Sequence, residues 1–197
     1  LSIEWKESQG PIQNCFAFSH KLGPEGSLGS VYVAKVEKTG TTVALRIVKK
    51  KEEEGDVKDN TIVKKLRELK KLSSPRVAAI LAAFDTAGEI WIASQYCPIG
   101  SLRSLLTNHL HTLSEEQIRP ILRSTLVALS FLHSSNVVHG SVRLSNILVD
   151  SVADVKLCDY GLHSTFNHKR TPQVDFLGCS DPVQPLSVAG DIWGLGV

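Results

Sequence analysis

The residues able to do chemistry fall into two groups, one in each half of the chain. In the first half a glycine-rich turn, Gly23-Pro24-Glu25-Gly26-Ser27-Leu28-Gly29, separates two apolar, strand-like runs, and Arg46 closes the run Val43-Ala44-Leu45-Arg46. Glycines so placed let backbone N–H groups fold over a phosphate, although a turn of this kind also serves as a plain hairpin. In the second half, His139-Gly140-Ser141-Val142-Arg143-Leu144-Ser145-Asn146 gathers an imidazole, a hydroxyl, a guanidinium and an amide, and Asp159-Tyr160-Gly161 follows it. The first of these stretches holds no carboxylate, and a serine hydroxyl cannot accept a proton at neutral pH. A third feature, the basic run Lys64, Lys65, Arg67, Lys70 and Lys71, has no aromatic residue interleaved for stacking on bases. It reads as a solvated face, with nucleic-acid contact as the weaker alternative.

The bulk properties allow a soluble domain with a real core. Of 197 residues, 42% are hydrophobic and 21% charged, and 22 Lys and Arg against 20 Asp and Glu leave a net charge of +2. Such a balance calls for neither a nucleic-acid nor a membrane partner. No apolar run approaches the ~20 residues of a membrane-spanning helix, and the start, Leu1 to Glu7, has no signal-peptide core. Cys15, Cys97, Cys158 and Cys179 are far apart with no CxxC pair, which suits reduced thiols in a cytoplasmic chain, with metal binding the remote alternative.

Elements that would position these groups follow from periodicity. Strands are expected at Phe16 to Leu22, Val31 to Val36, Thr41 to Val48, Ala78 to Phe84 and Glu89 to Tyr96. In the third of these, Val43, Leu45 and Ile47 share one face, and Ala44, Arg46 and Val48 the other. Ile62, Leu66 and Leu69 recur at helical spacing over Lys58 to Leu72. Cys97-Pro98-Ile99-Gly100 then breaks the pattern, and the second half turns helical. Ser101 opens a short helix, and Ser114-Glu115-Glu116-Gln117 forms a capping box for one running to His133, with a bend expected at Pro120. Two short strands, Ile147 to Val149 and Val155 to Leu157, precede a long loop and a helix from Asp191.

Five motifs in this order, Gly26-x-x-Gly29-x-Val31, Val43-Ala44-Leu45-Arg46, His139 to Asn146, Asp159-Tyr160-Gly161 and Asp191-Ile192-Trp193, resemble those of the protein kinase superfamily from about Phe16 onward. The resemblance implies an α+β, bilobal, protein-kinase-like fold: a five-stranded antiparallel N-lobe with one helix, then a mainly helical C-lobe that is truncated. It places one domain over 1–197, with the N-lobe at about 1–94, a hinge at about 95–100 and a partial C-lobe at about 101–197.

What the resemblance implies for each position is uneven. Gly26 and Gly29 match the second and third glycines of the phosphate loop, and Pro24 stands where the first belongs. Val31 and Ala44 would roof an adenine pocket and Leu148 floor it, with Gln95 to Cys97 as hinge and Ser94 guarding the back; plain core packing is the alternative for the apolar three. Arg46 replaces the phosphate-gripping lysine and Lys65 falls at its glutamate partner, so two cations would face each other unless Glu68 takes over. Ser141 replaces the proton-accepting aspartate. Gly140 replaces the arginine that reads a phosphorylated loop, leaving Ser164, Thr165 or Thr171 without their usual partner. Arg143 keeps a positive charge at the loop's lysine position. Asn146 and Asp159 match the two magnesium ligands, or persist as loop hydrogen-bonders. His139, Tyr160, Leu69 and Asp191 match positions that anchor the family's interior.

On these substitutions, with Arg46, Lys65, Gly140 and Ser141 as the degenerate catalytic positions, the chain is expected to be a pseudokinase rather than an enzyme. Any ATP would bind weakly, with or without magnesium, at Gly26, Gly29, Val31, Ala44, Arg46, Gln95, Cys97, Arg143 and Leu148, and any magnesium at Asn146 and Asp159. It would regulate an active protein kinase domain in cis or in trans, with a homodimer as the other assembly considered. The alternative is a weakly active atypical Ser/Thr kinase using ATP and magnesium through Arg143, Asn146 and Asp159. The stretches Val137 to Asp150, Val155 to Tyr160 and Gly190 to Trp193 are similar to the degenerate domain of the amino-acid-starvation kinase that phosphorylates a translation initiation factor.

Overall fold

The structure, a computed structural model, describes residues 11–23, 28–50, 56–86, 88–110, 112–150, 154–166 and 186–196. Gly26 and Pro24 of the glycine-rich turn, Thr171 and Cys179 lie outside the described residues. The chain divides into two compact units, Leu1–Leu72 with Ala79–Tyr96, and Ser73–Ala78 with Cys97–Val197.

In the first unit, strands β1 (Phe16–Lys21), β2 (Ser30–Val36), β3 (Thr42–Lys49), β4 (Ile80–Asp85) and β5 (Glu89–Gln95) form a five-stranded antiparallel sheet in the order β1-β2-β3-β5-β4. Alternation decides its faces. Val43 and Leu45 are fully buried and pack with Phe16, Ala34, Trp91 and Ala93, and an edge-on contact of the Phe16 and Phe84 rings at 5.9 Å closes this core. The register sets Val31 opposite Arg46 and Val33 opposite Ala44, so these residues share the sheet's other face with Ser94 and Ile92. Helix α1 (Asp56–Lys70) buries Val63, Leu66 and Leu69 and packs on β4, while Lys64, Lys65, Arg67 and Lys70 are exposed. The basic run is therefore the solvent side of an amphipathic helix.

In the second unit, the two-residue strand β6 (Gly100–Ser101) joins β7 (Ile147–Val149) and β8 (Val155–Leu157) in a three-stranded sheet. Ser101 caps helix α2 (Leu102–Leu105) by accepting from the Ser104 N–H at 3.2 Å, and a π-helical turn, Leu106–Leu110, follows. Helix α3 (Glu115–Ser134) starts at the expected capping box: Ser114 Oγ accepts from the Gln117 N–H at 3.4 Å, and Gln117 Oε1 from the Ser114 N–H at 2.9 Å. The helix is continuous through Pro120. Its inner face carries Thr125, Ala128, Leu129 and Leu132, and full burial of each leucine is worth about 1.5–3 kcal/mol. The segment before β4 is stitched to β8, since Leu157 N–H donates to Arg76 O and Ala78 N–H to Leu157 O, both at 2.9 Å. Two short helices complete the unit: α4 (Leu162–Thr165), inside what periodicity left as a long loop, and α5 (Val188–Gly196), which begins one turn before Asp191. Among the described residues no helix is long and apolar enough to cross a membrane.

Candidate functional site

The second unit builds a loop whose geometry is set by one buried carboxylate. Asp191, 1% exposed, accepts the His139 N–H at 2.8 Å on Oδ2, the Gly140 N–H at 2.8 Å on Oδ1, and the His133 Nε2 donor at 2.9 Å on Oδ2. The end of α3, the start of α5 and the loop thus meet on one side chain. Gly140 stands where a Cβ would lie 2.8 Å from Leu186 Cδ2, so a leucine fills the space beside it.

His139 ties this loop to the Asp159 segment. Its Nε2 lies 2.8 Å from Cys158 O, which can only accept, and its Nδ1 lies 3.1 Å from the Ser141 N–H, which can only donate. Both nitrogens are therefore satisfied by the neutral ring protonated at Nε2. Complete burial, the leading cause, pushes its pKa below the ordinary 6.5. With Nδ1 already occupied, His139 has no lone pair left to serve Ser141 as a base. The sign of the pH effect follows. Below about pH 6.5 the unfolded chain binds a proton that the folded ring refuses, so stability falls as pH drops through that value. His139→Phe is expected to flatten this dependence, read as urea midpoints at about pH 7.5 and about pH 5.5; an unchanged slope would rule out His139 as its source.

Ser141 and Asn146 are directly joined. Asn146 Nδ2 donates to Ser141 O at 2.8 Å and reaches Ser141 Oγ at 3.3 Å, and the Asn146 side chain is buried. With the nitrogen end committed, the amide presents Oδ1, to which no donor among the described residues reaches. Asn146 O also accepts the Cys158 N–H at 2.9 Å, which sets Asp159 one residue away. Asp159 itself adopts φ 61°, a left-handed conformation that aspartate tolerates at a cost of ~1–2 kcal/mol. The Gly161 N–H, donating to His139 O at 3.1 Å, holds the backbone just beyond it. An amide oxygen and a carboxylate are the hard oxygen donors that magnesium takes, and magnesium completes its shell with water and phosphate oxygens. No group of three or more His, Cys, Asp or Glu among the described residues could hold a metal. Two such oxygen donors fit a metal that brings the rest of its shell as nucleotide phosphate and water oxygens.

In the first unit the site residues are Gly29, Val31, Ala44, Arg46, Ser94 and Gln95. Gly29 has φ 81°, and a Cβ there would lie 2.0 Å from Ile47 O, so only glycine lets the turn close onto β3. Arg46 Nη1 reaches Leu28 O at 3.4 Å, and Ser94 Oγ donates to Ala44 O at 3.2 Å. Val31, Ala44, Arg46 and Gln95 are half-buried, as is Leu148 in the second unit. The expectation that Glu68 could partner Arg46 is corrected: both Glu68 oxygens bond Lys71 Nζ, at 2.8 and 2.9 Å, on the exposed face of α1. Lys71, three positions on and one residue past the end of α1, is the nearer partner for Glu68. Lys65 is exposed, as a solvated lysine is.

Cys97 opens the second unit as a core thiol. Burial first, and the Asp150 carboxylate second, push its pKa up to about 11. It is therefore a poor thiolate ligand or nucleophile. Two features were not anticipated from the sequence, the His133–Asp191 contact and helix α4, where Thr165 Oγ1 and Ser164 Oγ both donate to Gly161 O at 2.8 Å. The run of histidine and serine around Ser164 carries no helical periodicity that could have announced α4.

Comparison with known proteins places this geometry. The protein kinase domain family model matches residues 16–197. The chain is 31% identical over 191 residues to the serine/threonine-protein kinase pakF of Dictyostelium discoideum, covering 93% of this chain and 16% of that protein. It is 30% identical over 186 residues to the human serine/threonine-protein kinase 10, covering 88% of this chain and 19% of the relative. It spans less than a fifth of the length of either. Among solved structures it resembles Rad53 1–466 in complex with AMP-PNP, with a TM-score of 0.67 and 25% identity over 77% of this chain and 39% of that one. The expectation of a chain that is no enzyme is overturned here, because the relatives are named serine/threonine kinases. The physical reason is that phosphoryl transfer depends chiefly on positioning and charge, so loss of a base bears on rate before it bears on reaction type.

Proposed function

Since this chain belongs to the protein kinase domain family, we propose that it is an atypical Ser/Thr kinase domain that moves the terminal phosphoryl group of ATP to a protein hydroxyl slowly, without a carboxylate base. The observation that carries this reading is the Asn146 amide, buried and pinned by its nitrogen to Ser141, while the Asn146 backbone carbonyl accepts the Cys158 N–H next to Asp159. Asn146 and Asp159 would hold magnesium, which would supply positive charge to neutralise the phosphates. Arg143 supplies a further positive charge at the loop. Asp191 and His139 hold the loop backbone, so the polar groups are already in place before a substrate arrives.

Ser141 limits the rate. General-base assistance is worth about 10²- to 10⁴-fold, so Ser141→Asp is expected to raise transfer to Ser/Thr peptides by that order. The decisive experiment measures magnesium-dependent ATP binding by calorimetry together with phosphate transfer to a peptide library, with Asp159→Ala as control. Binding and slow transfer, both lost in Asp159→Ala, are expected. Failure to bind Mg-ATP at millimolar concentration, or transfer that survives in Asp159→Ala, would sink the reading.

A further inference from the structure

We propose that Ser141 is itself a phosphate acceptor, so that the domain marks its own catalytic loop; this rests on the kinase reading above and names a substrate for that same site. A serine at a position whose usual occupant faces the reacting phosphate is a nucleophile in place of a base. Three contacts hold it. Its N–H donates to His139 Nδ1 at 3.1 Å, its carbonyl accepts from Asn146 Nδ2 at 2.8 Å, and its hydroxyl lies 3.3 Å from the same Asn146 nitrogen. Asn146 is also the residue whose oxygen is left for magnesium. Asn146 would therefore touch the Ser141 hydroxyl with its nitrogen while its oxygen serves the metal that carries the phosphate. Pre-positioning of this kind replaces a bimolecular encounter by an intramolecular one.

The oxygen's bond to Asn146 orients the hydroxyl while a second lone pair stays available. The residue is half-buried rather than sealed. In the transfer, Ser141 Oγ forms a bond to the terminal phosphorus as the bond from phosphorus to the bridging oxygen breaks. ADP leaves with that electron pair. The hydroxyl proton passes to an oxygen of the transferred group and on to solvent. Transfer without a base at the attacking oxygen runs at the reduced rate already assigned to this loop, and an acceptor held in place tolerates that rate. The product is a phosphoserine of charge about −1.5 to −2 beside Asn146 and Asp159. The one hydroxyl takes one phosphoryl group, and its charge repels the phosphates of a further nucleotide, so the modified site binds Mg-ADP more weakly.

The test starts from phosphatase-treated protein incubated with Mg-ATP, followed by intact mass and peptide mapping. A gain of about 80 Da, one phosphoryl group, located on Ser141 and lost in both Ser141→Ala and Asp159→Asn is expected. Calorimetry with Mg-ADP, compared between treated and modified protein, should then show at least about a tenfold loss of affinity on modification. Protein that binds Mg-ATP yet stays unmodified at Ser141, a phosphate that persists in Ser141→Ala, or modified protein with unchanged Mg-ADP affinity would overturn the inference. Peptide phosphorylation followed in the same samples separates the two readings. Transfer to peptide with Ser141 unmodified ends only the inference, whereas absence of Mg-ATP binding ends both.

Discussion

Asp191→Ala is expected to cost about 3–5 kcal/mol of stability. The carboxylate is 1% exposed and accepts from His133, from the His139 N–H and from the Gly140 N–H. Alanine would leave two backbone donors and one imidazole donor without their acceptor, and each buried orphan costs about 1–3 kcal/mol, not additively. Asp191→Asn keeps one acceptor oxygen but turns an N–H₂ toward a donor, so its loss should be intermediate. Urea unfolding of the three proteins at neutral pH checks the order. A loss below about 1 kcal/mol in Asp191→Ala would mean that water replaces the carboxylate and that the loop is held by other contacts.

Gly29→Ala is expected to cost a further large amount, about 3 kcal/mol or more, in the first unit. Two terms add. At φ 81° an L-residue pays ~1–2 kcal/mol for the left-handed conformation. The Cβ would then sit 2.0 Å from Ile47 O and 3.0 Å from Ile47 C, atoms of a central strand backbone that cannot step aside as a side-chain tip can. Gly40 provides the internal control, with φ 69° and nothing within 4 Å of the added carbon, so Gly40→Ala carries only the conformational cost. Thermal unfolding should separate the two variants clearly. Equal losses would show that the turn moves away from β3 freely, and the close approach at Gly29 would then have no structural weight.

Both predictions concern backbone positions that hold chemistry in place rather than perform it. That division explains why substitutions at Arg46, Gly140 and Ser141 suggested a dead domain when only residue types were in view. The loop conformation depends on Asp191, His139 and Asn146, all retained, and on their hydrogen bonds.

The amino-acid sequence by itself determined the order of elements and the faces of the main ones. Alternation placed Val43 and Leu45 in the core and Arg46 on the other face, because side chains of a strand point to opposite sides at every step. The capping box at Ser114 and Gln117 set the start of α3 through two local hydrogen bonds that involve only neighbours. Such features are legible because their partners lie within a few residues. Tertiary structure alone decided the rest. His133 gained a role through Asp191, a residue 58 positions away. The neutral state of His139 follows from burial and from a carbonyl and an N–H that no local pattern brings to its ring. Local periodicity specifies which way a side chain faces, but only the closed fold specifies what it meets there.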